Sequence, residues 1–271
     1  MKTFTIDSKT MHYIDKGEGP VLVFGHSYLW DSKMWAPQLE VLSKQYRCIV
    51  PDLWSHGQSD AAPAKTRNLR DYAQDILSLM DHLEIETFSL VGLSVGGMWG
   101  AELTVLAPSR VKSLVLMDTF VGLEPEVMHK KYFDMMDMIA AAQQVPAQMV
   151  DAITPMFFAR NAEQENPELV AAFRSHLASI SGQHAVDLTQ IGRMVFGRRD
   201  AFDDIENFAL PTLIMVGAQD MPRPPLEAQL MQDAITGSEL VIVPDAGHIS
   251  NLEQPQFVTE KLVSFFAKVY A

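Results

Sequence analysis

The pentad Gly92-Leu93-Ser94-Val95-Gly96 stands where an apolar run (Phe88, Leu90, Val91) gives way to a helix-like stretch from Met98 to Leu106. Strand, sharp turn and helix in that order leave a serine at the apex, held on a strained bend with its hydroxyl projecting from the edge of a sheet. Such a bend brings backbone segments close together, so its neighbours must be small; Gly92 and Gly96 supply the room, with Gly97 beside them. The helix that follows points its N-terminal amides and the positive end of its dipole at whatever bonds to the serine, which favours a developing oxyanion. Two glycines around a tight turn would explain the pentad alone, so its meaning depends on the rest of the chain.

The rest supplies an alternating context. Short β-rich runs occur at Met11 to Ile14, Val21 to Phe24, Cys48 to Val50, Phe88 to Val91, Val111 to Met117, Thr212 to Val216 and Leu240 to Val243. Amphipathic stretches lie between them: in Asp71 to Leu83 the residues Tyr72, Ile76, Leu79, Met80 and Leu83 recur at three- and four-residue steps. Strands separated by helices predict βαβ units and a mostly parallel central sheet flanked by helices. Continuous apolar runs such as Val-Leu-Val-Phe fit strands covered on both faces. A last helix from about Pro255 should bury Phe257, Val258, Leu262, Val263, Phe265 and Phe266.

Residues 120–208 break the alternation, being helical in pattern with no convincing strand. They predict a helical cap inserted into a core made of residues 1–119 and 209–271. This stretch concentrates methionine and phenylalanine (Met128, Phe133, Met135, Met136, Met138, Met149, Met156, Phe157, Phe158). Most of these are expected to form the cap's own core. Some should face a cleft, since a flexible thioether suits an adaptable apolar pocket; Tyr28, Phe133, Met136, Met156 and Phe157 are the expected substrate-pocket residues.

A serine hydroxyl is a poor nucleophile until a base takes its proton, so the bend at Ser94 predicts a histidine and a carboxylate. Asp220 follows the run Thr212 to Val216, and His248 follows Leu240 to Val243, each on a loop at the carboxyl end of a strand. That is the edge on which open α/β sheets build their sites, and the chain order Ser, Asp, His is one such nucleophiles use. Asp245 and Asp118 compete with Asp220 for the acid. His12, His82, His129, His176 and His184 are expected on the surface. With no H-x-x-x-H, H-E-x-x-H or Cys/His cluster, no metal is assigned. The amides of Ser27 and Val95 are the expected oxyanion donors.

Composition narrows the partners. A formal charge of -13 over 271 residues argues against nucleic acid and anionic membrane, which need clustered Lys and Arg. The single cysteine, Cys48, can form no internal disulfide and reads as a small buried strand residue. No stretch approaches the length of apolar residues that spans a bilayer, and a cytoplasmic protein is expected. Nothing sets an oligomeric state. Arg160, Arg174, Arg193, Arg198 and Arg199 fall in the cap; each could bind a substrate carboxylate, though solvated surface positions are expected.

Over nearly its full length the chain resembles the α/β-hydrolase fold superfamily: Val21 to Tyr28, then Pro51-Asp52-Leu53-Trp54-Ser55-His56-Gly57-Gln58-Ser59, the pentad, Gly217 to Asp220, and Pro244 to His248 with Glu253 and Pro255 behind it. Gly-Leu-Ser-Val-Gly-Gly-Met is similar to the small esterases and lactonases, including 3-oxoadipate enol-lactonase-like proteins. The resemblance implies acyl transfer from a small-molecule ester or lactone through a Ser94-His248-Asp220 triad, without a cofactor. Serine in place of aspartate at position 94 argues against epoxide hydrolase and haloalkane dehalogenase chemistry. Carbon–carbon bond hydrolysis, perhydrolysis and a slow-turnover small-molecule receptor stay open. Two departures stand out. The family's His-Gly after the early strand is inverted to Gly25-His26 and followed by Ser27, so Ser27 could add a hydroxyl to the oxyanion site, or His26 could stiffen the loop from behind. Its Arg-Gly before His-Gly is replaced by Trp54-Ser55.

Overall fold

In the computed structural model, which describes residues 1–271, eight strands form one sheet in the order β1-β2-β4-β3-β5-β6-β7-β8. They are β1 (Lys2–Ile6), β2 (Lys9–Lys16), β3 (Val21–Gly25), β4 (Arg47–Pro51), β5 (Phe88–Leu93), β6 (Val111–Met117), β7 (Thr212–Gly217) and β8 (Glu239–Val243). β2 pairs antiparallel with β1 and β4, and every later pairing is parallel. β5 and β7 are buried at every position, which is why their sequences are apolar apart from Ser89 and Thr212.

β1 has no counterpart among the expected strands. Its turn into β2 uses Asp7 and Ser8, both at positive φ (49° and 64°), the conformation a two-residue hairpin requires. Asp-Ser is not the Asn-Gly or Asp-Gly pair that signals such a turn, so the hairpin leaves little trace in the sequence.

Helices α1 (Ala36–Leu42), α2 (Leu69–His82) and α3 (Val95–Leu106) precede β6. Asn68 caps α2, its side chain accepting from the Asp71 amide at 2.9 Å. Between β6 and β7, neighbours in the sheet, the chain forms α4 (Glu126–Ala142), α5 (Ala147–Ile153), α6 (Ala162–Glu165), α7 (Pro167–Ser179), α8 (Gly182–Phe196) and α9 (Phe202–Ile205), and no strand. α10 (Pro225–Ala234), α11 (Ser250–Glu253) and α12 (Pro255–Val269) complete the chain. Proline at the first position of α12 costs no hydrogen bond there. Val263, expected in the buried stripe of α12, is 37% exposed at its edge.

Tyr132 on α4 stacks on Phe196 of α8 with ring centroids 4.0 Å apart, tying the two long inserted helices together. The apolar core runs without interruption from the sheet into this insertion, taking in Met136, Phe157 and Phe173. The insertion therefore cannot swing away without breaking core contacts. No helix is long and apolar enough to cross a membrane.

Candidate active site

β5 ends at Leu93 and α3 starts at Val95, with Ser94 between them at φ 56°, ψ −119°. A non-glycine residue in this region stores on the order of 1–3 kcal/mol. The bend is held by the Ser94 amide donating to Met117 O at 2.8 Å and by the Thr119 hydroxyl donating to Ser94 O at 2.6 Å. The glycines are sterically required: a Cβ on Gly92 would lie 2.2 Å from the Gly96 carbonyl carbon, and one on Gly96 would lie 2.2 Å from Gly25 O.

Register brings the remaining groups to the same edge. Gly217 at the end of β7 pairs with Val243 at the end of β8, so the loops carrying Asp220 and His248 emerge side by side. His248 Nε2 lies 2.9 Å from Ser94 Oγ, and His248 Nδ1 lies 2.9 Å from Asp220 Oδ2 and 3.1 Å from Oδ1. All three residues are buried. Asp220 Oδ1 also accepts from the Arg223 amide at 2.9 Å. An ionised Asp220 can only accept, so Nδ1 carries a proton and donates to it, which leaves Nε2 as acceptor toward the serine hydroxyl.

The competing carboxylates are placed elsewhere. Asp118 is buried, accepting from the Gly217 amide at 2.7 Å and the Ser250 hydroxyl at 2.5 Å; burial first, then the nearby Asp220 charge, push its carboxyl up. Asp245 sits exposed in the turn before His248. Glu253, behind the histidine, accepts from the amides of Ala159 at 2.8 Å and Gly247 at 2.7 Å, and burial pushes its carboxyl up to about 7. The His248 amide itself donates to Phe157 O at 3.1 Å. The histidine loop is thus docked on inserted residues 157–159.

The oxyanion loop requires a correction. Val95 opens α3, and the first amides of a helix have no intrahelical acceptor. The Ser27 amide, however, is directed at Met34 Sδ, 3.4 Å away, while the neighbouring Tyr28 amide has no acceptor in the protein. The free donor lies one residue beyond the expected one. His26 does stiffen this loop: its buried ring accepts from the Leu53 amide at 2.8 Å through Nε2 and donates from Nδ1 to Ser27 O at 2.8 Å. Burial depresses its basicity, in keeping with a neutral ring.

Ser94 and His248 open onto a cavity of about 70 Å³ with mostly apolar walls, to which Tyr28, Met136, Met156 and Phe157 contribute. Phe133 does not. On α4 the residues facing the cavity are Tyr132, Met135 and Met136; Phe133, about 100° around the helix from Tyr132, stacks on His129 at 4.1 Å under the Arg193 guanidinium. None of the five inserted arginines borders this cavity. Arg174 and Arg193 pair with exposed carboxylates, Arg199 pairs with the buried Glu102 and with Asp204, Arg160 is exposed, and Arg198 is buried against Glu124. Arg223, which the sequence did not single out, does border it; its guanidinium is held by Glu124 and lies 3.5 Å from Glu227.

The geometry allows a proton to leave Ser94 Oγ for an imidazole that a carboxylate orients, beside two amides able to receive a negative oxygen. A family model described as alpha/beta hydrolase fold matches residues 20–255. The chain is 27% identical to 3-oxoadipate enol-lactonase 1 of Acinetobacter baylyi, over 92% of this chain and 87% of that one. It is 25% identical to a carboxylesterase of Bacillus subtilis, over 94% of this chain and 83% of that one. A thermophilic esterase from Thermogutta terrifontis, solved with malate bound, superposes with a TM-score of 0.89 at 26% identity, covering 99% of this chain and 97% of its own.

Proposed function

The chain belongs to the α/β-hydrolase fold family, and from that premise we propose that it is a serine hydrolase of small, neutral, mainly apolar carboxylic esters or lactones. The observation that carries this reading is the chain of contacts from Asp220 through His248 to Ser94 Oγ, with 2.9 Å at each link, at the floor of a mostly apolar cavity. The names of its relatives, an enol-lactonase and a carboxylesterase, support the same bond type.

In the proposed reaction Ser94 Oγ attacks the carbonyl carbon as His248 Nε2 takes its proton, and Asp220 stabilises the imidazolium. The carbonyl oxygen, now an anion, is held by the Tyr28 and Val95 amides, each donor contributing about 10²–10³ in rate by analogy with other acyl-transfer sites. The intermediate collapses, the alkoxide leaves with the proton from Nε2, and an acyl-enzyme remains. Water deprotonated by His248 attacks it and regenerates Ser94. Residues 120–208 act as the cap that shapes the acyl and alcohol environment. A neutral substrate is favoured because Arg223, the bordering cation, is already paired with Glu124.

Turnover of 4-nitrophenyl butyrate, γ-butyrolactone and a vinylogous 1,5-diketone, each compared with the Ser94→Ala variant, tests this. Multiple turnover of the ester or lactone with a pre-steady-state burst is expected, abolished in the variant. Turnover confined to the diketone would replace acyl transfer from esters with carbon–carbon bond hydrolysis, and a burst with no subsequent turnover would point to a receptor.

A further inference from the structure

The loop that carries Asp220, between β7 and α10, has little backbone of its own to hold it. Met221 is followed by Pro222, and Arg223 by Pro224 and Pro225, and a proline fixes φ but has no N–H to donate. Met221 and Arg223 are left as the backbone donors of this stretch. The Met221 amide has no acceptor in the protein, and the Arg223 amide donates to Asp220 Oδ1 itself, at 2.9 Å. Between Asp220 and Ala228, Arg223 is the only buried residue. Its side chain therefore anchors the loop, and its amide places the carboxylate of Asp220.

The anchor point lies in the insertion. Glu124, two residues before α4, has a buried side chain, and its Oε1 accepts both from the Arg223 guanidinium and from Arg198 Nη1, the latter at 2.7 Å. Arg198 follows α8 by two residues and also donates to Val195 O at 3.0 Å. The start of α4 and the end of α8 thus close on the acid loop through one carboxylate. Glu227, 3.5 Å from Arg223, belongs to the helix the loop leads into and cannot tie the loop to the rest of the molecule. His248, through its amide on Phe157 O, is referenced to the same insertion. Burial lowers the basicity of both guanidiniums, that of Arg198 to about 10. A buried ion group is often no more stabilising than apolar side chains of the same volume; what this one adds is a fixed geometry. Neither Glu124 nor Arg198 borders the reaction cavity, so neither has a substrate to bind there.

We propose that Glu124 is a positioning residue for Asp220: clamped by Arg198, it holds the Arg223 guanidinium, keeps the Arg223 amide on Asp220 Oδ1, and so sets the carboxylate against His248 Nδ1. Its effect on catalysis rests on the serine-hydrolase reading, whereas the placement of Asp220 does not.

The test separates the two. Glu124→Ala is read in the full-length protein as kcat for 4-nitrophenyl butyrate per active site, the sites being counted from the nitrophenol burst. Misplacing a catalytic group by about 1 Å can cost about 100-fold, so kcat should fall about 10- to 100-fold while KM changes by less than about twofold. Glu124→Gln, whose carbonyl oxygen can still accept from both arginines, should restore most of the loss. Glu124→Ala leaves two guanidiniums buried without their carboxylate; Glu124→Leu combined with Arg198→Met and Arg223→Met leaves neither, and should show the same loss in kcat with Tm maintained. In an Asp220→Asn background Glu124→Ala should cost little more, because the group it places is already lost. The downfield NMR resonance of the His248 Nδ1 proton, identified by its absence from His248→Ala, reads the contact without turnover. It should be present in the unaltered protein and in Glu124→Gln, and broadened or lost in Glu124→Ala and in the triple variant. An unchanged kcat in Glu124→Ala or in the triple variant, a loss confined to KM in Glu124→Ala, equal losses with Asp220 and with asparagine in its place, or the same His248 resonance in every variant would overturn the proposal. Absence of ester turnover in the unaltered protein, with a resonance that responds to Glu124, would instead remove the hydrolase reading and leave the placement of Asp220 standing.

Discussion

Asp220→Asn is the substitution for which the structure gives the most specific outcome. Asp220 uses one oxygen for the Arg223 amide at 2.9 Å and offers both to His248 Nδ1, at 2.9 and 3.1 Å. Asparagine has only one oxygen. If it stays on the Arg223 amide, the new NH₂ faces Nδ1, which must then accept, and the ring proton moves to Nε2. Nε2 then meets Ser94 Oγ as a donor and can no longer take its proton. The flipped rotamer restores Nδ1–H donation but sets an NH₂ against the Arg223 N–H, leaving a buried donor unpaired at a cost of about 1–3 kcal/mol. The first arrangement should dominate, and the wrong tautomer lowers kcat by roughly 10⁴, or about 5 kcal/mol in the barrier. KM should change little, because Asp220 does not border the cavity.

Asp118→Asn is the informative control. Burial already favours the neutral carboxyl there, and an asparagine can still accept from Gly217 and donate to Ser250, so the loss should stay under tenfold. Asp245→Asn, at an exposed turn, should be silent. The assay is kcat and KM for one aryl ester under one condition, with Tm as the folding check. A loss below tenfold at Asp220, or a larger loss at Asp118 than at Asp220, would refute the reasoning.

Ser94→Ala and His248→Ala should each reduce kcat by several orders of magnitude, and the double variant should lose little more than either alone because the two act as a unit; multiplicative losses would dissolve the pair. Glu253 supplies a pH prediction. Its folded carboxyl is raised from 4.5 to about 7, so the native state binds the proton more readily than the unfolded chain. The resulting stabilisation is complete below 4.5 and is lost as pH rises through 7, worth about 3 kcal/mol. Glu253→Gln should flatten that slope in urea midpoints measured between pH 5 and 8; an unchanged slope would remove Glu253 as its source. Finally, neutral esters should exceed carboxylate-bearing analogues in kcat/KM, with the gap narrowing in salt if the charge of -13 steers the anions away. A preference for the carboxylates would mean that Arg223 exchanges Glu124 for substrate.

What was legible in the sequence follows the reach of the forces involved. Strand positions, the bend at Ser94 and the order of Asp220 and His248 are local or periodic signals, and parallel pairing then dictates which strand ends lie together. The helical insertion between β6 and β7 was legible as a break in alternation, but the orientation of its side chains was not. Phe133 and Met136 share one helix, and only the packing of α4 against α8 decides that Met136 borders the cavity while Phe133 faces Arg193. Arg223 escaped for another reason, and Glu253 was named only as part of the resemblance, without its contacts. Each acts through a residue distant in the chain, Glu124 and Ala159, and no spacing rule announces a partner that far away.

The loop after β3 shows how a correct local reading can be displaced by one residue. Gly25 looks like half of an inverted His-Gly pair, yet its smallness serves the bend across the sheet. A Cβ there would lie 2.6 Å from Gly96 Cα and 2.5 Å from the Trp99 ring, and Gly25 pairs directly with Gly92. With Gly25 committed to that clearance, His26 turns inward to the Leu53 amide and Ser27 is drawn to Met34. The first amide free to face the cavity is then that of Tyr28. Its own side chain donates to Leu188 O on α8 at 2.8 Å, so the residue offering the amide is also braced by the insertion. The same helix, through His184, holds Ser55 in its strained turn at φ 62°. The insertion and the loop after β3 are therefore one mechanical unit, and under the proposed mechanism a substitution that shifts α8 should alter the rate of the chemical step as well as the choice of substrate.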